Sequence, residues 1–203
     1  VHQGCRRIGC VFLYFYTMYS LNLPNKITLV RIFLIPFFLV FLISSSKIDP
    51  LFAALIFGLA SFTDWLDGYL ARTTNQVTLL GKLLDPIADK ILITAALIPL
   101  VELDRVSAWL AVVIIGREFA VSGLRTVGMS QGIMIDVSWW GKYKMAFEIT
   151  AIILLILNYK ILFIHFQFLG TVSIWIAMIM GLVSGIDYFV KFLRILNQLN
   201  RSK

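Results

Sequence analysis

Cysteine is nearly missing from this chain: Cys5 and Cys10 are its only two, both within the first ten residues. That excludes a disulfide framework and a thiolate metal centre. Histidine is equally scarce. His2 lies in the same atypical N-terminal stretch and His165 far from the polar segments, so neither is a candidate base or ligand. Charge is thin as well, at 14% of residues against 60% hydrophobic, with a mean hydropathy of +0.89. Soluble domains carry about a quarter charged residues, so an ordinary water-soluble domain is excluded. No interleaving of aromatic and basic residues accompanies the net charge of +7, which argues against nucleic acid as a partner. The positive excess reads instead as a topology signal and an attraction to anionic membrane lipids.

What is present is apolar sequence in span-length pieces. Six stretches, roughly 27–46, 51–71, 82–101, 107–128, 143–162 and 166–190, are long enough to cross a bilayer. The expected fold is therefore all-α, a polytopic membrane protein of six transmembrane helices with both termini on one side. Of the 18 Lys and Arg, only Lys47, Arg105 and Lys160 fall on the opposite side. The positive-inside rule then makes the terminal side cytoplasmic and the location a cytoplasmic (inner) membrane. Before the first span, LNLPNKITLVR (residues 21–31) predicts a short interfacial helix or turn broken at Pro24. The preceding stretch is foreign to the rest: its apolar run is too short to span, and without a small-residue cleavage site a signal peptide is only a weak alternative. Met18 makes a more natural beginning, so residues 1–17 are expected to be a non-functional extension and 18–203 the working domain.

Against this background, DWLDGYLARTTNQVTLLGKLLDPIADK, starting at Asp64, is the segment that carries chemistry. Asp64 and Asp67 are three apart, Asp85 and Asp89 four apart, so each pair shares a helix face. One carboxylate at mid-membrane costs roughly 2.5 to 3.5 kcal/mol, and four would cost on the order of 10 kcal/mol unless cations offset them. A helical hairpin over 64–89 brings the pairs face to face. Oxygen ligands on two walls suit hard divalent cations, Mg²⁺ or Mn²⁺, and four carboxylates suffice for two ions that clamp a phosphoryl displacement. Gly68 and Gly81 remove side chains where a backbone or ligand must come close. Ala71 and Arg72 end the helix, with the guanidinium beside the acids. Arg31, one turn inside the first span, can reach the acids or an anionic ligand; the blander reading, a snorkelling anchor, is preferred from its position alone.

The spacing of Asp64, Asp67, Gly68, Ala71, Arg72, Gly81, Asp85 and Asp89 matches the defining motif of the CDP-alcohol phosphatidyltransferase family at every fixed position, and the chain resembles that family from about Leu21 to the last span. The resemblance implies that the four aspartates surround two divalent metals and that Asp89 is also the base. Gly68, Ala71, Arg72 and Gly81 would shape the CDP pocket, with Arg31 beside them. It further implies CDP-diacylglycerol as donor and a homodimer. NLPNKITLVR, GREFAVSGLR (116–125) and GKYK (141–144) are similar to bacterial members that use glycerol 3-phosphate as acceptor. The cations Arg117, Arg125, Lys142 and Lys144 suit a phosphorylated acceptor, since arginine forks match phosphate oxygens. Inositol phosphate would also satisfy them; choline or ethanolamine would not need them.

Ordinary positive-inside decoration is a fair account of Lys144 and a poorer one of Arg117, which sits deeper in an apolar run. Glu118 is expected in a structural salt bridge, and Glu148 and Asp187 in helix–helix hydrogen bonds. Gly181 and Gly185 form a small-xxx-small pair that allows close packing within the subunit or between two. A divalent-cation transporter would also bury acids, but near the midplane and often in repeated halves. The second half holds no copy of DxxDG.

Overall fold

The computed structural model describes residues 23–44, 49–74, 79–130, 139–161 and 164–201. Among these, six helices follow in order: α1 (Leu23–Ile43), α2 (Asp49–Thr74), α3 (Leu79–Glu102), α4 (Ala108–Ser130), α5 (Trp139–Leu157) and α6 (Phe166–Arg201). The only extended pairing described is a ladder of two-residue strands, β1 (Lys160–Ile161) and β2 (Ile164–His165), between α5 and α6. The six expected stretches thus each become a helix. The separate interfacial helix does not appear among the described residues: α1 runs unbroken from Leu23, because Pro24 stands in the first turn, where its missing N–H costs nothing. Residues 1–17 lie outside the described residues.

Helix limits follow local chemistry. Asp49 opens α2 with an acid in its first turn, where the helix dipole favours it, and accepts a hydrogen bond from Ser44 Oγ. Ser107 accepts the first bonds of α4 through its carbonyl, from the Leu110 and Ala111 N–H groups. The fifth helix stops at Leu157, five residues before the expected end of its span at 162, because Asn158 adopts a left-handed φ of 44°. Arg105 reinforces that stop: its Nη1 donates to the carbonyls of Leu155 at 3.0 Å and Ile156 at 2.7 Å. A cation at a helix C-terminus is favourable twice over, as a donor to orphan carbonyls and through the dipole.

The helices form two trios. In one, α1 packs on α2 and α3; in the other, α6 packs on α5 and α4; contacts of α2 with α5 and of α3 with α4 and α5 join them. The shared core includes Phe38, Phe57, Leu97, Ile114, Ile152 and Ile174. On α1 the inward stripe reads Thr28, Arg31, Ile35, Phe38, Leu42, all buried and alternating three and four apart. Its outward stripe is no more polar: Phe33 is 72% exposed, and Phe37 and Val40 lie beside it. The second helix likewise exposes Leu51, Leu55, Leu59 and Phe62. A water-soluble bundle would turn polar residues outward, so this outer surface marks a lipid-facing protein. By length and composition, the described residues contain one helix able to cross a bilayer, α6 over Phe166–Leu196, with a shorter apolar piece, Ile27–Ile43, in α1.

Helices α5 and α6 approach closely at Gly170. A Cβ there would lie 2.7 Å from Leu155 Cγ and 3.2 Å from Leu155 N. Backbone cannot move aside as a flexible side chain can, so Gly170→Ala is expected to destabilise the fold by about 1–3 kcal/mol. Thermal unfolding in detergent reads this as a lowered Tm; an unchanged Tm would mean that the two helices separate freely.

Candidate active site

Each helix trio is tied by one polar cluster. In the first, Arg31 of α1 donates from Nη1 to Asp64 Oδ1 of α2 at 2.7 Å, and more weakly to Asp89 Oδ1 of α3 at 3.5 Å. Arg31 is fully buried, while the Asp64 and Asp89 side chains are 16% and 31% exposed. The snorkelling account of Arg31 is therefore corrected: its position on the inward stripe of α1 points it into the protein, and it supplies the cation that the acids require. Sequence periodicity could have shown this, since Arg31 is in register with Ile35, Phe38 and Leu42.

Asp67, Gly68, Ala71 and Arg72 lie on α2, and Gly81 and Asp85 on α3, but their side chains are outside those described. The second helix continues two residues past Arg72, to Thr74. Among the described residues no three acids converge; Asp64 and Asp89 do, from different helices onto one nitrogen. Two carboxylates meet this one guanidinium, and Asp67 and Asp85 stand on the same two helices. An all-oxygen donor set fits a hard divalent cation.

The second cluster ties the other trio. Arg117 of α4 donates from Nε to the Gly181 carbonyl of α6 at 2.8 Å, and from Nη1 to Glu118 Oε1 at 2.5 Å. The same Glu118 oxygen accepts a hydrogen bond from Lys144 of α5, and Lys144 also donates to Glu148 Oε2. Lys144 is buried and Glu148 fully so. Surface decoration thus fails for Lys144, and Glu118 stands in the salt bridge expected of it. Glu148 and Asp187 differ from expectation: each pairs with a lysine four residues away on its own helix, Glu148 with Lys144 and Asp187 with Lys191 at 2.7 Å. Those i, i+4 spacings were visible in the sequence. The face of α6 at Gly181 and Gly185 is filled from within the chain, since a Cβ at either would lie 3.6 Å from Arg117 Nε.

A cavity of about 220 Å³ joins the two clusters. Asp89 borders it from α3, Arg117, Glu118 and Arg125 from α4, and Lys144 and Glu148 from α5. Of the four expected acceptor-site cations, three meet there; the side chain of Lys142 is outside those described. Sequence reasoning missed Ser184, Tyr188 and Lys191, which line the α6 wall. The volume is below the 300 Å³ or so typical of drug-sized ligands, so the space suits a small polar molecule.

Known proteins resemble this chain over most of its length. The family model for CDP-alcohol phosphatidyltransferase matches residues 21–183. A Bacillus subtilis protein named CDP-diacylglycerol–glycerol-3-phosphate 3-phosphatidyltransferase is 44% identical over 84% of this chain and 94% of its own length. Proteins of the same name from Rickettsia felis and Haemophilus influenzae are 38% and 37% identical, over 83% and 82% of this chain and 93% and 91% of theirs. With the motif aspartates on α2 and α3, an acid-to-cation cavity and a match across most of its length, the chain belongs to the CDP-alcohol phosphatidyltransferase family.

Proposed function

We propose that this enzyme transfers the phosphatidyl group of CDP-diacylglycerol to sn-glycerol 3-phosphate, releasing phosphatidylglycerophosphate and CMP. The observation that carries the reading is the position of Asp89. It touches the Arg31–Asp64 cluster on one side and borders the cation-lined cavity on the other. A residue so placed can reach both the lipid-side phosphorus and an acceptor hydroxyl. The relatives' names supply the two substrates.

In this reading the acceptor lies in the cavity with its phosphate toward Arg117, Arg125 and Lys144, and its free primary hydroxyl toward Asp89. Asp89 accepts the hydroxyl proton as the oxygen attacks the phosphorus, and the bond to CMP breaks. Asp64, Asp67, Asp85 and Asp89 would hold two divalent cations, Mg²⁺ or Mn²⁺, which when bound supply charge neutralisation for the pyrophosphate and the departing CMP. Arg72, Gly68, Ala71 and Gly81 belong to the CDP side. Arg31 is assigned to holding the carboxylates rather than to direct contact with the lipid. The exposed apolar helix faces support all six helices crossing the membrane, with both termini and the site on the cytoplasmic side and acyl chains in the bilayer. A homodimer would use faces other than the one that Arg117 fills.

The test is CMP release by the purified full-length protein from CDP-diacylglycerol with Mg²⁺, comparing glycerol 3-phosphate, inositol phosphate, serine and no acceptor. Release with glycerol 3-phosphate alone, abolished by a chelator, is expected. Release with inositol phosphate instead would keep the family and replace the substrate.

A further inference from the structure

The two buried cations that line the cavity are already engaged. Arg117 and Lys144 both pair with Glu118, Lys144 pairs also with Glu148, and none of the four side chains is more than 17% exposed. A phosphate dianion seated on Arg117 and Lys144 without rearrangement would sit beside two carboxylates. Like charges at contact distance repel, and the low exposure of these side chains leaves that repulsion only partly screened, so Glu118 in its present place opposes the anion. Something must leave those cations as the anion arrives.

The two glutamates are not equally able to do so. Glu148 has no exposed surface and is held by a lysine one turn away on its own helix. Glu118 borders the cavity, retains some exposure and meets both cations through the single oxygen Oε1. One helical turn further along α4 stands Ser122, which lines the same cavity and whose hydroxyl can donate to a carboxylate. We propose that Glu118 is a displaceable counter-ion: the anionic end of the acceptor takes its place on Arg117 and Lys144 while the carboxylate swings to Ser122. This rests on the cavity being the acceptor site. It gives Glu118 a role in selection, because an uncharged alcohol offers those cations nothing in exchange for their carboxylate, whereas a phosphorylated one does.

The direction of the Glu118→Gln effect separates this from a fixed strut. The amide keeps the shape and an acceptor oxygen but removes the competing charge. In full-length protein reconstituted with phosphatidylcholine, CDP-diacylglycerol and Mg²⁺, the KM for glycerol 3-phosphate is expected to fall. Inhibition by inorganic sulfate, at constant ionic strength, should strengthen by roughly tenfold, the scale of removing one partly screened like charge beside a dianion. The KM for the CDP-lipid should change less. A raised KM for glycerol 3-phosphate with unchanged sulfate inhibition would overturn the proposal and leave Glu118 as a strut. Sulfate-induced stabilisation against heat, measured without either substrate, should also be larger in E118Q than in the unaltered protein, and an equal shift counts against displacement. That readout does not depend on the acceptor's identity, so an enzyme that ignores glycerol 3-phosphate would refute the functional reading while still testing Glu118. Should E118Q fail to fold, Ser122→Ala decides: losing the landing partner should raise the KM for glycerol 3-phosphate, and an unaltered KM would overturn the exchange.

Discussion

Replacing Asp89 with asparagine is expected to lower CMP release by about a hundred- to ten-thousandfold, the usual contribution of a positioned general base. Asparagine preserves the side chain's size and an oxygen for Arg31, so the first helix trio should remain assembled around the Arg31–Asp64 bond of 2.7 Å. What it cannot do is take a proton, while its amide oxygen and the other three carboxylates remain to hold metal. Binding of the CDP-lipid should therefore weaken far less than turnover, which would appear as a fall in kcat with a modest change in the lipid KM. Asp64→Asn offers the contrast, because Asp64 does not border the cavity that holds the acceptor in this reading. Its loss should weaken metal dependence and lipid binding more than proton transfer. An Asp89→Asn enzyme that turns over within about threefold of normal would remove Asp89 as base and return the assignment to another acid.

Removing Arg31 should have the largest effect on the fold. Arg31→Met keeps the unbranched apolar stem of a fully buried side chain but strips Asp64 and Asp89 of the cation that meets both. Breaking a buried ion pair from one side typically costs about 3–5 kcal/mol, because the remaining charge stays uncompensated. Thermal unfolding in detergent should show the loss, and Arg31→Lys should recover part of it, retaining the charge without the planar fork. Added Mg²⁺ should stabilise R31M more than the unaltered protein, since the freed carboxylate oxygens are hard ligands. A Tm that is insensitive to the substitution would show that the neighbouring cations already neutralise these acids and that Arg31 is dispensable. These two replacements act on the same cluster, one through chemistry and one through charge balance, so their energies should not add.

Much of this arrangement was legible because it is local. The DxxDG spacing from Asp64 to Gly68 and the four-residue step from Asp85 to Asp89 are helix-periodic facts, and so are the six apolar stretches. Pro24 was harder, since proline breaks a helix or begins one according to where the first turn falls. The C-terminal limit of α5 was missed because the end of an apolar run at 162 does not reveal the left-handed turn at Asn158 that stops the helix earlier. Lys144 was misjudged because its spacing to Glu148 was visible but its burial was not. A lysine on a cytoplasmic helix end reads as a topology anchor until a second helix brings Glu118 to it.

By itself the sequence determined the apolar surroundings, the all-helical class, the family and the spacing of the motif aspartates, because composition and short-range spacing suffice for each. The tertiary structure decided which groups meet. Arg31 finds Asp64 and Asp89 across 33 and 58 residues of chain, and Arg117 finds Gly181 across 64. Contacts at such separations depend on how whole helices pack, which no local periodicity encodes. Packing also settled the use of Gly181 and Gly185, whose missing side chains make room for an arginine of the same chain, and it set Asp89 between an acidic cluster and a cationic cavity.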